Sequence, residues 1–183
     1  MPRSGYPATS TPTNLLNSMN LTFSIADPSQ APALAALHNA VSADLTVRYG
    51  QGVWSTTATE KGILFGMRHS TVIAASDGED LVGTLRLQTK KPWAIDVSYF
   101  TPVKKALYLT GMAVLPVRQR HGIGRMILQE AIRLTRALPA GAIRLDAFDA
   151  PAGAGPFYAK CGFAGRGRVT YRKAPLIYFE LVL

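Results

Sequence analysis

The segment from Leu107 to Leu138 limits what this chain can fold into more than any other. An apolar strand pattern, Leu107-Tyr-Leu-Thr-Gly-Met-Ala-Val-Leu115, stops at Pro116 and passes through a short turn into the strongest helical periodicity of the sequence. In that helix Ile123, Met126, Ile127, Ala131, Leu134 and Leu138 recur at helical spacing, while Arg125, Gln129, Arg133 and Arg136 mark the opposite face. The turn between reads Val117-Arg-Gln-Arg-His-Gly-Ile-Gly124. A helix start carries backbone N–H groups without partners and the positive end of the helix dipole. Glycines at 122 and 124 remove side chains that would hold a phosphate away from those donors, and Arg118, Arg120 and Arg125 add positive charge. The two better-known glycine loops are missing: neither G-x-G-x-x-G with a later acid nor G-x-x-x-x-G-K-[ST] occurs.

The rest of the chain supplies layers for this unit to pack on. Residues 1–20, rich in Ser, Thr, Pro and Asn, read as a flexible leader without the apolar run of a secretory signal. A strand is expected at Leu21–Ile25. Asp27-Pro28 then opens a helix through Leu34, Leu37 and Val41, and a loop with Tyr49, Gly50, Gly52 and Trp54 leads to a second helix near Thr59–Met67. Strands at Thr71–Ala75 and Leu81–Leu87 flank a Ser-Asp-Gly-Glu-Asp turn, and a polar, aromatic loop follows from Gln88 to Pro102. Gly111 interrupts the strand before the turn and marks a bulge. After the long helix come a strand at Ala142–Phe148, a short helix at Pro151–Lys160 closed by Gly162, and an apolar strand at Leu176–Leu183. The order β-α-α-β-β-β-α-β-α-β-β predicts a mixed, mostly antiparallel sheet of six to seven strands with helices on both faces, an α+β fold in a single domain over 21–183. The last strand reads as an edge that could pair with a second subunit.

Charge narrows the partner. A formal net charge of +9 points to a polyanion, and the bases cluster late: five arginines from Arg118 to Arg136 against one acid, then five bases and no acid from Lys160 to Lys173. The anion site therefore belongs to the C-terminal half. No apolar run is long enough to span a bilayer. One cysteine, Cys161, excludes an internal disulfide, fits a reducing cytoplasmic setting and, with His38, His69 and His121 scattered, argues against a metal site.

The turn and two later motifs give a sharper reading. Gln119-Arg-His-Gly122-Ile-Gly124 follows the pattern [Q/R]-x-x-G-x-[G/A], Ala154-Gly-Pro-Phe-Tyr158 follows Ala-x-x-x-Tyr, and Gly162-Phe163 comes soon after. On these residues the chain resembles the Gcn5-related N-acetyltransferase (GNAT) superfamily, with an element order that matches from Leu21 to Leu183. The resemblance implies an enzyme that uses acetyl-CoA as co-substrate and acetylates a small-molecule or peptide amine directly. It places the coenzyme diphosphate on the backbone of Gln119, Arg120, His121, Gly122, Ile123, Gly124 and Arg125, and the pantetheine arm beside Met112, Ala113 and Val114. Arg120, Arg125 and Lys160 then stand as phosphate partners. Where many members carry Asn seven residues before the tyrosine, this chain has Pro151, and Asp149 is the nearest polar substitute.

The same resemblance sets Tyr158 beside the coenzyme sulfur, where a phenol protonated at neutral pH can serve as general acid. The backbone N–H of Val114 is the expected oxyanion donor. Asp96, Asp146 and Glu60 are the candidate bases, and Trp54, Trp93, Tyr99 and Phe100 lie in loops suited to an acceptor. Two other readings stay open on sequence alone. One is a GNAT-like acyl-CoA sensor without turnover. The other, less favoured, is a nucleic-acid module using Gly165-Arg-Gly-Arg168 with Arg172-Lys173.

Overall fold

The computed structural model describes residues 20–183, so the expected leader lies almost wholly outside the described residues. Seven strands form one sheet: β1 (Leu21–Ile25), β2 (Thr71–Asp77), β3 (Asp80–Gln88), β4 (Ala106–Val114), β5 (Ala142–Phe148), β6 (Ala164–Tyr171) and β7 (Ala174–Val182). Their spatial order is β1-β2-β3-β4-β5-β7-β6. Every neighbouring pair is antiparallel except β4 and β5, which run parallel. This is the mixed sheet that the element order predicts.

The helices cover both faces. On one side α1 (Ala31–Tyr49) and α2 (Glu60–Met67) bury Leu34, Val72 and Ala74, with Ile63 and Met67 packed alongside. On the other, α3 (Ile123–Arg136) and α4 (Gly155–Lys160) close a larger core around Ile73, Leu85, Ile127, Leu128, Ile143, Leu145, Phe163 and Phe179. Asp27 does cap the first helical turn, accepting from the Ser29 N–H at 2.9 Å, but that turn is a 3-10 helix that runs into α1.

Several elements depart from expectation. Helix α1 continues past Val41 to Tyr49, because its polar side chains find partners in the following loop. Asn39 bonds both the N–H and the C=O of Ala58, and the Ser42 hydroxyl donates to the Trp54 carbonyl at 2.7 Å. Helix α3 ends at Arg136, so Leu138 lies outside it and is exposed. Met126 is exposed too, and the buried stripe is Ile123, Ile127, Leu128, Ala131 and Thr135. Helix α4 begins only at Gly155. The basic stretch from Arg166 lies on strand β6, with Arg172 and Lys173 as its hairpin turn at positive φ.

The expected edge at Leu176–Leu183 is a correction: β7 is hydrogen-bonded to β5 on one side and β6 on the other. With both ladders filled it has no free edge to offer a second subunit.

One buried ion cluster fixes the loop before β4 onto the sheet. Glu180 of β7 is 1% exposed; its Oε1 accepts from Arg144 Nε at 3.0 Å, and its Oε2 from Arg166 Nε at 2.8 Å and the Thr101 N–H at 3.1 Å. Burial alone would raise the Glu180 pKa, but the bonds from Thr101, Arg144 and Arg166 outweigh it and hold it low. Glu180→Gln should therefore cost about 3–5 kcal/mol in denaturant unfolding, since it leaves two guanidinium groups without a counter-charge. The sign with pH follows from the depressed value. The stabilisation is complete above the unfolded carboxylate range and is lost as pH falls through the folded value. A Gln variant with wild-type stability would show that the cluster contributes nothing.

A candidate active site at the parting of two strands

Strands β4 and β5 pair only over Ala106↔Ala142, Leu107↔Ile143 and Tyr108↔Arg144, and beyond those three pairs they part. The bulge starts the divergence. Thr84 faces Ala113 and Arg86 faces Thr110, so Gly111 and Met112 together oppose only Leu85. Gly111 sits at φ +57°, a conformation glycine takes without strain. Past the bulge, the Leu115 N–H donates to the Val82 carbonyl at 2.9 Å. Antiparallel alternation then turns the N–H and C=O of Val114 away from β3 and into the seam. Gln119 Nε2 donates to that carbonyl at 3.0 Å and ties the glycine turn back to the strand.

A cleft of 660 Å³ opens along this seam. Met112, Ala113 and Val114 line it from β4, and Gln119, Arg120, Gly122, Gly124 and Arg125 from the turn and the start of α3. Pro151, Ala154, Phe157, Tyr158, Lys160 and Cys161 close it from beyond β5. The structure thus brings together ten of the residues singled out from sequence. The Ile123 side chain is 1% exposed in the core, which leaves only its backbone to the cleft, the part of it named from sequence. His121 is not among the lining residues: it bonds the Gln119 carbonyl through Nδ1 at 2.8 Å and lines an adjoining depression with Asp44 and Arg48.

The cleft is built for an anion. Five cationic side chains line it (Arg48, Arg118, Arg120, Arg125 and Lys160) and no acid does. Arg48 pairs with Asp44 and Arg118 with Asp77, which leaves Arg120, Arg125 and Lys160 without ion-pair partners among the described residues. Gly122 caps α3 at φ +81° with no side-chain cap, so the first N–H groups of the helix have no acceptor from a capping side chain. A Cβ at Gly124 would stand 3.3 Å from Met112 Cε and 3.5 Å from Phe157 Cζ. That glycine lets the helix start approach both walls.

Helix α4 aims its tyrosine through its C-terminal end. The Gly162 N–H donates to the Ala159 carbonyl and the Phe163 N–H to the Tyr158 carbonyl, with Gly162 at φ +89°, the paired bonds of a left-handed helix stop. Tyr158 is buried against Phe157, Phe163 and Phe179, and its O–H donates to Met112 Sδ at 3.6 Å. Burial first, then the charges of Asp146 and Cys161, push the Tyr158 pKa well above its ordinary value. The phenol therefore keeps its proton throughout any working pH range. Burial likewise raises the Cys161 thiol, with Arg125 offsetting only part, so Cys161 is a protonated wall residue.

The three candidate bases fall in different places. Asp146 lies on β5 opposite Tyr178, where burial raises its pKa, and its charge reaches Tyr158. Asp96 caps a 3-10 turn, its Oδ1 accepting from the N–H and hydroxyl of Ser98 at 2.9 and 2.8 Å, which holds its pKa low. Glu60 opens α2 beside a separate depression with Phe65 and Arg68. Asp149 is turned from the cleft to Arg168 Nε at 2.7 Å, while Pro151 takes its place on the wall.

Of the aromatic candidates, Trp54 packs edge-on against Tyr49 and Phe148, Tyr99 against Tyr178, and Phe100 is buried in the loop core. Trp93 is 84% exposed. Sequence reasoning did not find Val41, Leu45, Arg48 and Tyr49, which line the cleft from the C-terminal half of α1; the helix was expected to stop before most of them. Among the described residues, no group of three or more His, Cys, Asp or Glu could hold a metal ion, and no helix is long and apolar enough to cross a membrane.

Comparison with known proteins bears on the fold and the family. Among curated proteins none matches the sequence significantly. Solved structures match the fold at low identity. A ribosomal-protein-alanine N-acetyltransferase from Brucella melitensis aligns with TM-score 0.68 at 18% identity over 88% of this chain and 99% of that one. The yncA protein of Salmonella typhimurium, solved with its cofactor acetyl-CoA, gives 0.66 at 18% over 90% and 94%. The PaiA N-acetyltransferase of Thermoplasma acidophilum, in complex with coenzyme A, gives 0.67 at 14% over 87% and 98%. The family model for the acetyltransferase (GNAT) family matches residues 35–163, from α1 through the whole seam to Phe163. On that match, the chain belongs to the GNAT family of acetyltransferases.

Proposed function

We propose that this protein binds acetyl-CoA in the seam and transfers its acetyl group directly to an amine, without a covalent acyl-enzyme. The observation that carries the reading is the acid-free, five-cation cleft joining a helix start with free N–H groups to a buried, protonated tyrosine. Two similar structures were solved with acetyl-CoA or coenzyme A. The residues here fit such a group: the helix start with Arg120, Arg125 and Lys160 suits a diphosphate, and the unpaired edge of β4 suits an extended amide-bearing arm.

The acetyl thioester supplies the acyl carbon, and the chain supplies the proton traffic. Asp146 accepts the proton that the amine must lose, directly or through one water. The Val114 N–H, turned into the seam, donates to the thioester carbonyl oxygen as charge builds there. Tyr158 donates its phenolic proton to the departing thiolate; the Met112 sulfur already stands where its O–H points. The single free thiol, Cys161, accords with a reducing cytoplasmic setting.

Calorimetry with acetyl-CoA followed by thiol release over a panel of amines tests this reading. Binding with release supports it, binding without release for any amine points to an acyl-CoA sensor, and no binding refutes it. Gly122→Val should weaken acetyl-CoA about 10- to 100-fold in the same calorimetry. A β-branched residue at φ +81° costs a few kcal/mol locally and reshapes the turn. The fold should survive, since a Cβ at Gly122 would meet no atom within 4 Å.

A further inference from the structure

Arg86 carries a half-buried guanidinium that the fold leaves unpaired among the described residues. It projects from β3 onto the α1/α2 face, in register with Val72 of the core beneath those helices. Its head lies between two glycines: a Cβ on Gly66 of α2 would stand 2.4 Å from Nη1, and one on Gly111 of β4 would stand 3.1 Å from Nε. Nε is sealed from solvent without a partner, and among the described residues Arg86 makes no ion pair or hydrogen bond. From α1, His38 feels the charge of Arg86: burial first, then Arg86, holds its pKa below the ordinary value. A half-buried cation with its Nε sealed off and no counter-charge bears a desolvation cost that an anion from outside the chain would offset.

The register says where that anion would stand. Arg86 faces Thr110 across β3 and β4, and Tyr108 faces Arg144 across β4 and β5. Two residues further along the parallel strands, Thr110 and Asp146 continue the same row on the same face. The row therefore runs cation, hydroxyl, carboxylate across three strands, with the parting of β4 and β5 opening between the hydroxyl and the carboxylate. The hydroxyl of Thr110 is, like Arg86 Nε, buried without a partner. A basic end and an acidic end, with an orphaned hydroxyl between them, are the complement of a zwitterion.

We infer that the acceptor is an amine bearing a carboxylate a few bonds away, of the free amino acid type, with its carboxylate on Arg86 and its amine toward Asp146. This assignment rests on the acetyl-transfer reading above. A planar carboxylate matches the guanidinium fork, and the two glycines keep the head in place by leaving it room.

The test pairs free amino acids with their C-terminal amides as acceptors, at saturating acetyl-CoA. The unsubstituted protein should prefer the acid form by about 10- to 100-fold in kcat/KM. Arg86→Gln should erase that preference by slowing only the acid form, and Arg86→Lys should restore part of it. Gly66→Ala tests the same point without removing the charge: the new methyl displaces Nη1, while alanine favours the helix, so the preference should fall in a protein no less stable. Calorimetry of the coenzyme A-loaded protein with the same pairs reads the site without turnover. Equal handling of acids and amides by the unsubstituted protein, no binding of any acid form, or a preference that survives Arg86→Gln overturns the assignment. Failure of the acetyl-transfer reading itself shows separately, as loss of acetyl-CoA binding before any acceptor is added.

Discussion

Tyr158→Phe should lower kcat about 100- to 10,000-fold while acetyl-CoA affinity stays close to that of the unsubstituted protein. The substitution removes one oxygen and leaves the aromatic packing against Phe157, Phe163 and Phe179 in place. What is lost is a proton that burial keeps on the phenol, at the one point where the helix stop of α4 aims it into the seam. Because the only partner of that O–H among the described residues is a thioether at 3.6 Å, a weak acceptor, the ground state loses little. A drop in kcat and kcat/KM together, with unchanged coenzyme affinity, is the signature of an interaction made only in the transition state. Full turnover in the Phe variant would take Tyr158 out of the chemistry.

A loss of similar size, about 100- to 10,000-fold near neutral pH, is expected for Asp146→Asn. Burial lifts the Asp146 pKa above its ordinary value, so activity in the unsubstituted protein should fall as pH drops through that raised value. The Asn variant should lack this acid limb. Stability should move the other way. A carboxyl whose pKa is raised by folding stabilises the native state only while protonated, and this contribution is lost as pH rises past the unfolded and then the folded value. At neutral pH the Asn variant should therefore unfold at a higher temperature than the parent while turning over far more slowly, the trade expected at a functional site. An acid limb that persists in the Asn variant would assign the base elsewhere.

What could be read from sequence follows physical locality. The turn at Gln119–Gly124, the bulge at Gly111 and the stop at Gly162 are backbone demands that glycine announces wherever it occurs, and all three stand where the spacing put them. The strand at Ala142–Phe148 was legible end to end because Ile143, Leu145 and Ala147 alternate with Arg144 and Asp146 at the strand period. Side-chain partners across long separations were not legible. The continuation of α1 to Tyr49 depends on Asn39 and Ser42 finding a loop later in the chain. Met126 and Leu138 satisfied helical spacing but sit outside the buried stripe, because α3 rests on the sheet through Ile123, Ile127 and Ala131 and ends at Arg136. Arg86, lying between Leu85 and Leu87, looks in the sequence like a solvent-facing strand residue. The signal that could have found it is Gly66 and Gly111, two glycines in unrelated elements that make room for the same head group.

The parting of β4 from β5 has a mechanical side. Four strands on one flank and three on the other are joined through the sheet by only three residue pairs, so the ladder is thinnest where the chemistry is proposed to happen. Whatever lodges there acts as a rivet between two plates, and filling the gap stiffens the whole molecule along its weakest line. An empty gap leaves that work to the apolar layer beneath α3 and α4 and, on the opposite face, to the Glu180 cluster that ties the loop before β4 to the far plate.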